Sequence, residues 1–163
     1  MEPGEAPHLH GVAREATGLL VAAGRSELDG PPPPLSAFVP KLLGHDAYVA
    51  EDKASGTPAG FALGLDLGDL YWLAELAVHP AHGRRGVGTA LLRAVTERAR
   101  WSFHRALGLS TYETVPFNAP FYAARGFVKV LRKDLSALLE ERLLRETPPG
   151  ADPADRVVMI RWL

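Results

Sequence analysis

Residues 75–92 read ELAVHPAHGRRGVGTALL and decide the fold of the surrounding chain. This stretch completes an apolar run that begins at Leu70, passes through a glycine-rich turn, and continues with apolar residues at helical spacing. A strand, turn and helix joined in this way direct consecutive backbone N–H groups and the positive end of a helix dipole at one point. The stretch therefore predicts a binding site for an anion, and a phosphate group is its natural ligand.

The turn in this stretch has further features that suit a phosphate. Gly86 and Gly88 let a ligand approach the backbone closely, and Arg84 and Arg85 add positive charge. The turn is not a dinucleotide fingerprint, because no third glycine follows Gly88 at the required spacing, and no Gly-Lys-Ser/Thr sequence is present for a P-loop. A glycine pair also occurs in plain turns, so these residues alone leave a purely structural role open.

Hydrophobic periodicity on either side of the stretch outlines a mixed fold. It predicts a first helix that ends near residue 23, a second over 35–43, a third that begins at 87, and two more over 119–125 and 135–145. It predicts strands at 47–50, 59–67, 70–78, 105–112, 127–131 and 157–162. Residues 1–10 are predicted to be irregular, and residues 25–34, with four consecutive prolines, form a stiff loop. We expect one α/β or α+β domain spanning residues 1–163.

Composition excludes several classes of function. Eighteen Lys and Arg residues against nineteen Asp and Glu give a net charge of −1, which is too low for nucleic-acid binding. The chain has no cysteine, so it has no thiol nucleophile and no thiolate metal site. Neither a membrane-spanning apolar run nor a signal peptide is evident, and we expect a cytoplasmic protein without a membrane partner.

A second motif lies at residues 118–127, which read NAPFYAARGF. With the first motif it resembles the GNAT family of acetyltransferases. Gly86-Val87-Gly88 matches the Gly-x-Gly of the acyl-CoA loop, and residues 118–127 look like the family segment Asn-x-x-x-Tyr-x-x-x-Gly-Phe. The resemblance covers roughly residues 11–132, with one departure: the Gln or Arg that begins the acyl-CoA loop falls on Gly83.

The resemblance implies a GNAT-like fold: a mostly antiparallel mixed sheet, splayed between its fourth and fifth strands and flanked by helices. It implies an N-acetyltransferase that uses acetyl-CoA as co-substrate, without a metal, and in which an amine attacks directly in a ternary complex. The acceptor would be a small-molecule amine or a peptide, and a homodimer is compatible with this family. Two alternatives stay open: a non-catalytic acyl-CoA-binding or sensing domain of the same fold, and an interaction protein whose glycines are structural.

The resemblance also implies catalytic roles. Tyr122 stands where the family places a tyrosine near the coenzyme sulfur, and it is predicted to protonate the leaving thiolate. Glu75 is the only charged residue in the run 70–78 and is predicted to accept the amine proton through water. Strand alternation leaves open that Glu75 instead shares an exposed face with Tyr71, Leu73 and Ala77.

The remaining site predictions concern the coenzyme and the acceptor. The predicted coenzyme-binding residues are Leu76, Ala77, Val78, Gly83, Arg84, Arg85, Gly86, Val87, Gly88, Thr89 and Asn118. Asn118 is equally suited to capping the helix that follows it. The loop 25–34 is expected to line the acceptor side, where Glu27, Asp29 and Glu113 would favour a cationic amine.

Overall fold

The computed structural model describes residues 3–163 and contains one mixed sheet with helices on both of its faces. The helices are α1 (Ala6–Ala22), α2 (Leu35–Leu43), α3 (Val87–Trp101), α4 (Ala119–Ala123) and α5 (Ala137–Glu146). The strands are β1 (Asp46–Glu51), β2 (Pro58–Asp66), β3 (Leu70–Val78), β4 (Ala106–Tyr112), β5 (Val128–Val130) and β6 (Arg156–Trp162). These bounds lie within two residues of the predicted ones everywhere except at the start of α1.

The sheet has the strand order β1-β2-β3-β4-β6-β5. All neighbouring strands are antiparallel except β3 and β4, which are parallel because α3 carries the chain back across the sheet between them. Buried residues of α3 and α4 pack on one face, called here the α3 face. Buried residues of α1, α2 and α5 pack on the other, called the α1 face. The predicted mixed, mostly antiparallel sheet flanked by helices is confirmed.

The two parallel strands separate part of the way along their length. They pair only over Leu70–Leu73 of β3 and Ala106–Leu109 of β4. Beyond Leu73 no pairing joins the two strands, so the sheet has a gap between the ends of β3 and β4. The predicted splay is therefore present, but between the third and fourth strands of this chain.

A bulge in β3 changes which side chains face which layer. Leu63 of β2 pairs with Glu75, whereas the next residue, Gly64, pairs with Leu73, so Ala74 is an extra residue without a partner in β2. An inserted residue shifts the alternation of side chains along a strand. Odd-numbered side chains of β3 therefore face one layer before the bulge and the opposite layer after it.

The packing of β3 confirms this shift. Leu73 packs into the core of the α3 face, together with Leu91 of α3. Ala77 lies four residues farther along but packs on the α1 face against Leu9 of α1. Simple alternation would place both residues on one face, so the grouping of Leu73, Glu75 and Ala77 on one face was wrong. Glu75 alternates with Leu76 after the bulge and shares the α1 face with Ala77.

The irregular segment predicted over residues 1–10 is also corrected. A short 3-10 turn spans Pro3–Glu5 and α1 begins at Ala6, while residues 1 and 2 lie outside the described part of the chain. Pro7 is tolerated because the first turn of a helix needs no backbone N–H donor. Leu9 is fully buried and Val12 is 3% exposed, so the apolar stripe of α1 starts earlier than predicted. Among residues 3–163, no helix combines the length and apolar character that crossing a bilayer requires.

Candidate active site

A cavity of about 1040 Å³ occupies the gap between β3 and β4 and is lined by residues from both faces of the sheet. Its walls come from α1, the free end of β3, the turn before α3, the end of β4 and the start of α4. Both motifs singled out in the sequence line this cavity, as do Glu75 and Tyr122. The fold therefore brings the two motifs and both predicted catalytic side chains to one site.

One edge of the cavity is the unpaired backbone of β3. The His79 N–H donates to the Ala59 carbonyl at 2.9 Å, which makes these two residues a hydrogen-bonded pair of the antiparallel ladder. Such pairs alternate along the strand, so the backbone of Ala77 faces β2 and the backbone groups of Leu76 and Val78 point into the gap. Leu76 and Val78 thus offer main-chain donors and acceptors to a ligand, whereas Ala77 does not.

The turn before α3 supplies a second set of main-chain donors. Within residues 3–163, no acceptor is found for the backbone N–H groups of residues 84–89, and the first bond of α3 runs from the Ala90 N–H to the Gly86 carbonyl at 2.9 Å. Gly86 has a φ of 84°, in the left-handed region, and this turns the chain into the helix. Six consecutive unpartnered amides at a helix N-terminus form an anion-binding cradle.

Gly83 and Arg84 share this turn in an unusual arrangement. Gly83 has an ordinary φ of −60°. Arg84, with a φ of 57°, occupies the left-handed region that a glycine would adopt without strain. A Cβ atom on Gly83 would lie 3.1 Å from the Pro80 carbonyl oxygen, so a side chain at this position would crowd the preceding turn. The departure from the family motif therefore has a local structural basis.

The N-terminus of α3 lies directly against β3 and α4. A Cβ atom added to Gly88 would lie 3.6 Å from Leu76 Cδ2 and from Phe121 Cζ, and 3.7 Å from Val78 Cγ2. These are ordinary contact distances, so the first turn of α3 lies beside the free edge of β3 without requiring a glycine at position 88. The neighbouring Val87 packs against the core of the α3 face.

Tyr122 lies on the α3 face of the cavity. Its ring makes edge contacts with Phe121 and Phe127, with centroids 5.1 and 5.6 Å away, and burial raises the pKa of the Tyr122 hydroxyl. No hydrogen bond of that hydroxyl is found within residues 3–163. Asn118 also lines the cavity and makes no side-chain capping bond to α4, so its amide is not used as a helix cap.

Arg125 is a cavity residue that the sequence analysis missed. Its guanidinium donates to Thr89 Oγ1 at 2.9 and 3.3 Å and to the Phe121 carbonyl at 2.8 Å, and it stacks 3.7 Å above the Phe121 ring. The arginine joins α4 to the first turn of α3 and adds a positive charge beside the amide cradle. Its position one residue before Gly126 of the second motif was the available sequence clue.

Glu75 lies on the α1 face of the cavity and is not isolated there. Its Oε2 atom forms an ion pair with Lys41 Nζ of α2 at 2.5 Å, and its side chain is 22% exposed. No pattern in the sequence points to Lys41 as a partner of Glu75, because Lys41 is distant in the chain, in the helix predicted over 35–43. The carboxylate is thus held in place at the mouth of the gap.

A second group of polar residues on the α1 face surrounds Tyr112. The Tyr112 hydroxyl donates to Glu27 Oε1 at 3.0 Å, and Arg156 lies 5.0 Å from the Tyr112 ring centroid. Arg156 also donates to Ser110 Oγ at 3.2 and 3.1 Å and to the Ser110 carbonyl at 3.0 Å. Tyr112, Ser110 and Arg156 line the cavity.

The acidic residues expected on the acceptor side do not line the cavity. Glu27 accepts the hydrogen bond from Tyr112, and Glu113 is ion-paired with Lys129 on the edge of the sheet. Asp29 is exposed on the loop after α1. Helix α1 covers this side of the cavity with apolar residues that include Leu19 and Leu20. The loop 25–34 does not line it.

Glu146, at the end of α5, is the carboxyl group near this side of the cavity whose pKa is shifted most. Burial raises its pKa to about 7, although the hydrogen bond that Trp72 Nε1 donates to Glu146 Oε1 at 2.6 Å opposes the shift. The charges of Arg156 and Lys41 also favour its ionised form. Its second oxygen is buried and has no hydrogen-bond partner in the described chain.

Comparisons with known proteins agree with the geometry of the site. A model of the acetyltransferase (GNAT) domain matches residues 44–129, which is more than half of the chain. Mycothiol acetyltransferase from Clavibacter sepedonicus is 38% identical over 98 residues, which cover 58% of this chain and 32% of that protein. The chain therefore matches about a third of the length of this relative.

Solved structures share the fold over the whole chain. A GCN5-related N-acetyltransferase from Rhodopseudomonas palustris superposes with a TM-score of 0.75 at 22% identity, covering 100% of this chain and 92% of that one. N-acetylglutamate synthase from Neisseria gonorrhoeae, solved with coenzyme A and N-acetyl-glutamate, gives a TM-score of 0.71 at 18% identity over 99% of this chain and 34% of that one. The chain belongs to the GNAT family of acetyltransferases.

Proposed function

We propose that this chain transfers the acetyl group of acetyl-CoA to the nitrogen of an amine by direct attack in a ternary complex. The observation that carries the proposal is the gap between β3 and β4. Unpartnered amides line it on the α3 face, and its part on the α1 face, called here the chamber, is lined by residues that include Leu20, Glu75, Tyr112 and Arg156. A cavity lined from both faces would let coenzyme and acceptor bind on opposite sides and meet inside the sheet.

Main-chain groups account for coenzyme binding in this proposal. The amides of residues 84–89 would hold the pyrophosphate, with positive charge from Arg84 and Arg125, which line the cavity. Arg85 does not line it and lies against His82 instead. The edge of β3 at Leu76 and Val78 would hydrogen-bond the amide groups of the pantetheine arm, as an added strand would. Asn118, whose side chain is not used as a helix cap, is a further contact.

Glu75 and Tyr122 divide the proton transfers between the two faces. Glu75 would accept a proton from the acceptor nitrogen as the new C–N bond forms. The ion pair with Lys41 would hold the Glu75 carboxylate in position to receive that proton. A backbone N–H of β3 would stabilise the oxyanion on the former thioester carbonyl. Tyr122 would give its proton to the thiolate as the C–S bond breaks, because a tyrosine hydroxyl is protonated at neutral pH and can donate to a developing thiolate.

Thermal unfolding with and without acetyl-CoA tests coenzyme binding. A ligand present at about 100 times its Kd adds roughly 2.7 kcal/mol to the free energy of unfolding, which raises the Tm by several degrees. We expect a Tm increase with acetyl-CoA and with coenzyme A, and none with NAD. No increase with either coenzyme would favour an interaction protein whose glycines are structural.

Thiol release tests turnover with little background, because the chain contains no cysteine to react with the thiol reagent. Direct attack in a ternary complex predicts intersecting lines when acetyl-CoA and acceptor concentrations are varied together, whereas an acyl-enzyme predicts parallel lines. Coenzyme binding without thiol release across a broad panel of amines would favour the non-catalytic acyl-CoA-binding domain.

A further inference from the structure

The chamber on the α1 face contains a guanidinium without an ion-pair partner. Arg156 begins β6, lines the cavity and is partly buried, and among residues 3–163 no carboxylate lies within 4 Å of it. Its hydrogen bonds to Ser110 use Nε and Nη2, and the Tyr112 hydroxyl also interacts with the guanidinium. These neutral partners leave the positive charge of a partly buried group without a counter-ion, which is costly unless an anion approaches it.

Arg156 is held in a defined position. Three contacts to Ser110 and the adjacent ring of Tyr112 fix the plane of the guanidinium on the floor of the chamber. Tyr112 is anchored in turn by its hydrogen bond to Glu27. Ordering an arginine before its ligand arrives lowers the entropy cost of binding. The guanidinium is therefore pre-organised for a ligand.

Nearby charges leave Arg156 as the net positive centre of the chamber. Lys41 is neutralised by Glu75, and Arg25 is neutralised by Asp155 at 2.8 Å. Glu146 acts on Arg156 electrostatically but lies beyond ion-pairing distance, and burial raises its pKa to about 7. One uncompensated positive charge matches one carboxylate better than it matches a phosphate dianion.

We propose that Arg156 binds a carboxylate of the acceptor, so that the acceptor is an amino acid or another amine that carries a carboxylate. This inference rests on the proposed acetyltransferase function and names the substrate class of the same site. Arg156 and Glu75 lie on the same face of the sheet, on the two sides of the gap, and they would bind the carboxylate and the amine of one molecule. Leu19, Leu20 and Phe117 give the chamber apolar walls, which favour an apolar side chain on that acceptor.

Matched acids and amides test this proposal without any mutation. The kcat/KM values of L-leucine, L-methionine and L-phenylalanine are compared with those of their α-amides at saturating acetyl-CoA. We expect the acids to be preferred by about 100-fold, the size of a buried charge-assisted contact. The amino group of an amide is less basic, so a preference for the acid would not arise from amine ionisation. Equal or better use of the amides would overturn the proposal.

Variants of Arg156 test whether this residue causes the preference for acids over amides. Arg156→Gln is expected to raise the KM of the acids by about 100-fold while changing the values for the amides less than about 3-fold, with Arg156→Lys in between. Arg145→Gln, on the exposed surface of α5, is the matched control and should change neither. An equal loss for acids and amides in Arg156→Gln would show a structural role and overturn the proposal.

Two further outcomes separate this proposal from the proposed function. If no member of the panel is acetylated, calorimetry with coenzyme A present is expected to detect N-acetyl-L-leucine but not N-acetyl-L-leucinamide. Binding of acetyl-CoA without binding of any such carboxylate would overturn the acceptor proposal alone, whereas loss of acetyl-CoA binding would overturn the acetyltransferase. Faster acetylation of O-phosphoethanolamine than of β-alanine would show that the site prefers a phosphate to a carboxylate. That result would also overturn the acceptor proposal.

Discussion

The two halves of the cavity are built in different ways. On the α3 face the candidate coenzyme site consists largely of main-chain groups: the amides of residues 84–89 and the free edge of β3. On the α1 face the cavity is lined by side chains such as Glu75 and Tyr112, which are held by Lys41 and Glu27 from outside it. A main-chain site depends on backbone conformation and tolerates side-chain replacement, whereas a side-chain site can change its ligand by substitution. This contrast suits a protein that keeps one co-substrate and selects its own acceptor.

The largest effect is expected from a change of backbone conformation in the coenzyme half. Gly86→Val should lower acetyl-CoA affinity by about 1,000-fold or more, because a β-branched residue disfavours the left-handed conformation and its side chain obstructs the cradle. Calorimetric titration with acetyl-CoA measures the loss. Gly56→Val is the control, since Gly56 also has a positive φ and open space for a Cβ but lies in the turn between β1 and β2.

A side-chain variant in the same turn sharpens this prediction. Thr89→Val should lower the affinity less than about 5-fold, because the Thr89 amide remains and its hydroxyl already accepts hydrogen bonds from Arg125. A larger loss in Thr89→Val than in Gly86→Val would contradict the view that main-chain groups build this half.

The next largest effect concerns the one side chain of the α3 face that is proposed to take part in the chemistry. Tyr122→Phe should lower kcat by about 10- to 1,000-fold and leave the KM for acetyl-CoA nearly unchanged, as expected when a transition-state proton donor is lost. Steady-state kinetics measure both constants. Tyr48→Phe removes a hydroxyl that interacts with Tyr71 and Arg98, outside the cavity lining, and should leave kcat unchanged. Full activity of Tyr122→Phe would remove this residue from the mechanism.

The same contrast explains which parts of the site could be predicted from the sequence. Glycines with positive φ and a proline at a helix start record backbone conformation locally, so the turn at Gly86 and the short helix after Asn118 could be read directly. The extra residue at Ala74 has no such mark, because alanine suits a regular strand as well as a bulge. Period-2 alternation therefore assigned the wrong face partners to Glu75.

The acceptor half was beyond prediction for a different reason. Its contacts join residues far apart in the chain: Arg156 and Ser110 are separated by 46 positions, and Tyr112 and Glu27 by 85. No local pattern encodes such a pair, and an arginine at the start of a strand resembles any solvated residue. Only the fold identifies Arg156 as a cation that lines the cavity.

A smaller but measurable effect is expected from the charge next to the acceptor half. Glu146 has a pKa of about 7 in the folded chain against an ordinary 4.5, so the folded state holds this proton more tightly than the unfolded state does. The free energy of unfolding should therefore fall as pH rises from about 4.5 to 7 and stay lower above that range. The shift corresponds to about 3 kcal/mol.

Replacement by an amide tests this penalty. Glu146→Gln cannot ionise, so it should raise the free energy of unfolding at pH 8 by up to about 3 kcal/mol and change it little at pH 5. Urea unfolding at the two pH values provides the measurement. Glu141→Gln, on the exposed face of the same helix, should be nearly neutral at both. Destabilisation of Glu146→Gln at pH 8 would show that the ionised carboxylate supports the fold.

The smallest expected effect concerns the ion pair between Lys41 and Glu75 and tests whether it has a catalytic or a structural role. If Glu75 is the base, Glu75→Gln should lower kcat by about 10- to 100-fold, whereas Lys41→Met, which leaves the carboxylate in place, should lower it less than about 5-fold. If the pair only fastens α2 to β3, both variants should lose similar stability and keep similar kcat. Steady-state kinetics and urea unfolding of the two variants separate these cases. Because both substitutions break the same ion pair, a difference in kcat between them must come from the carboxylate itself.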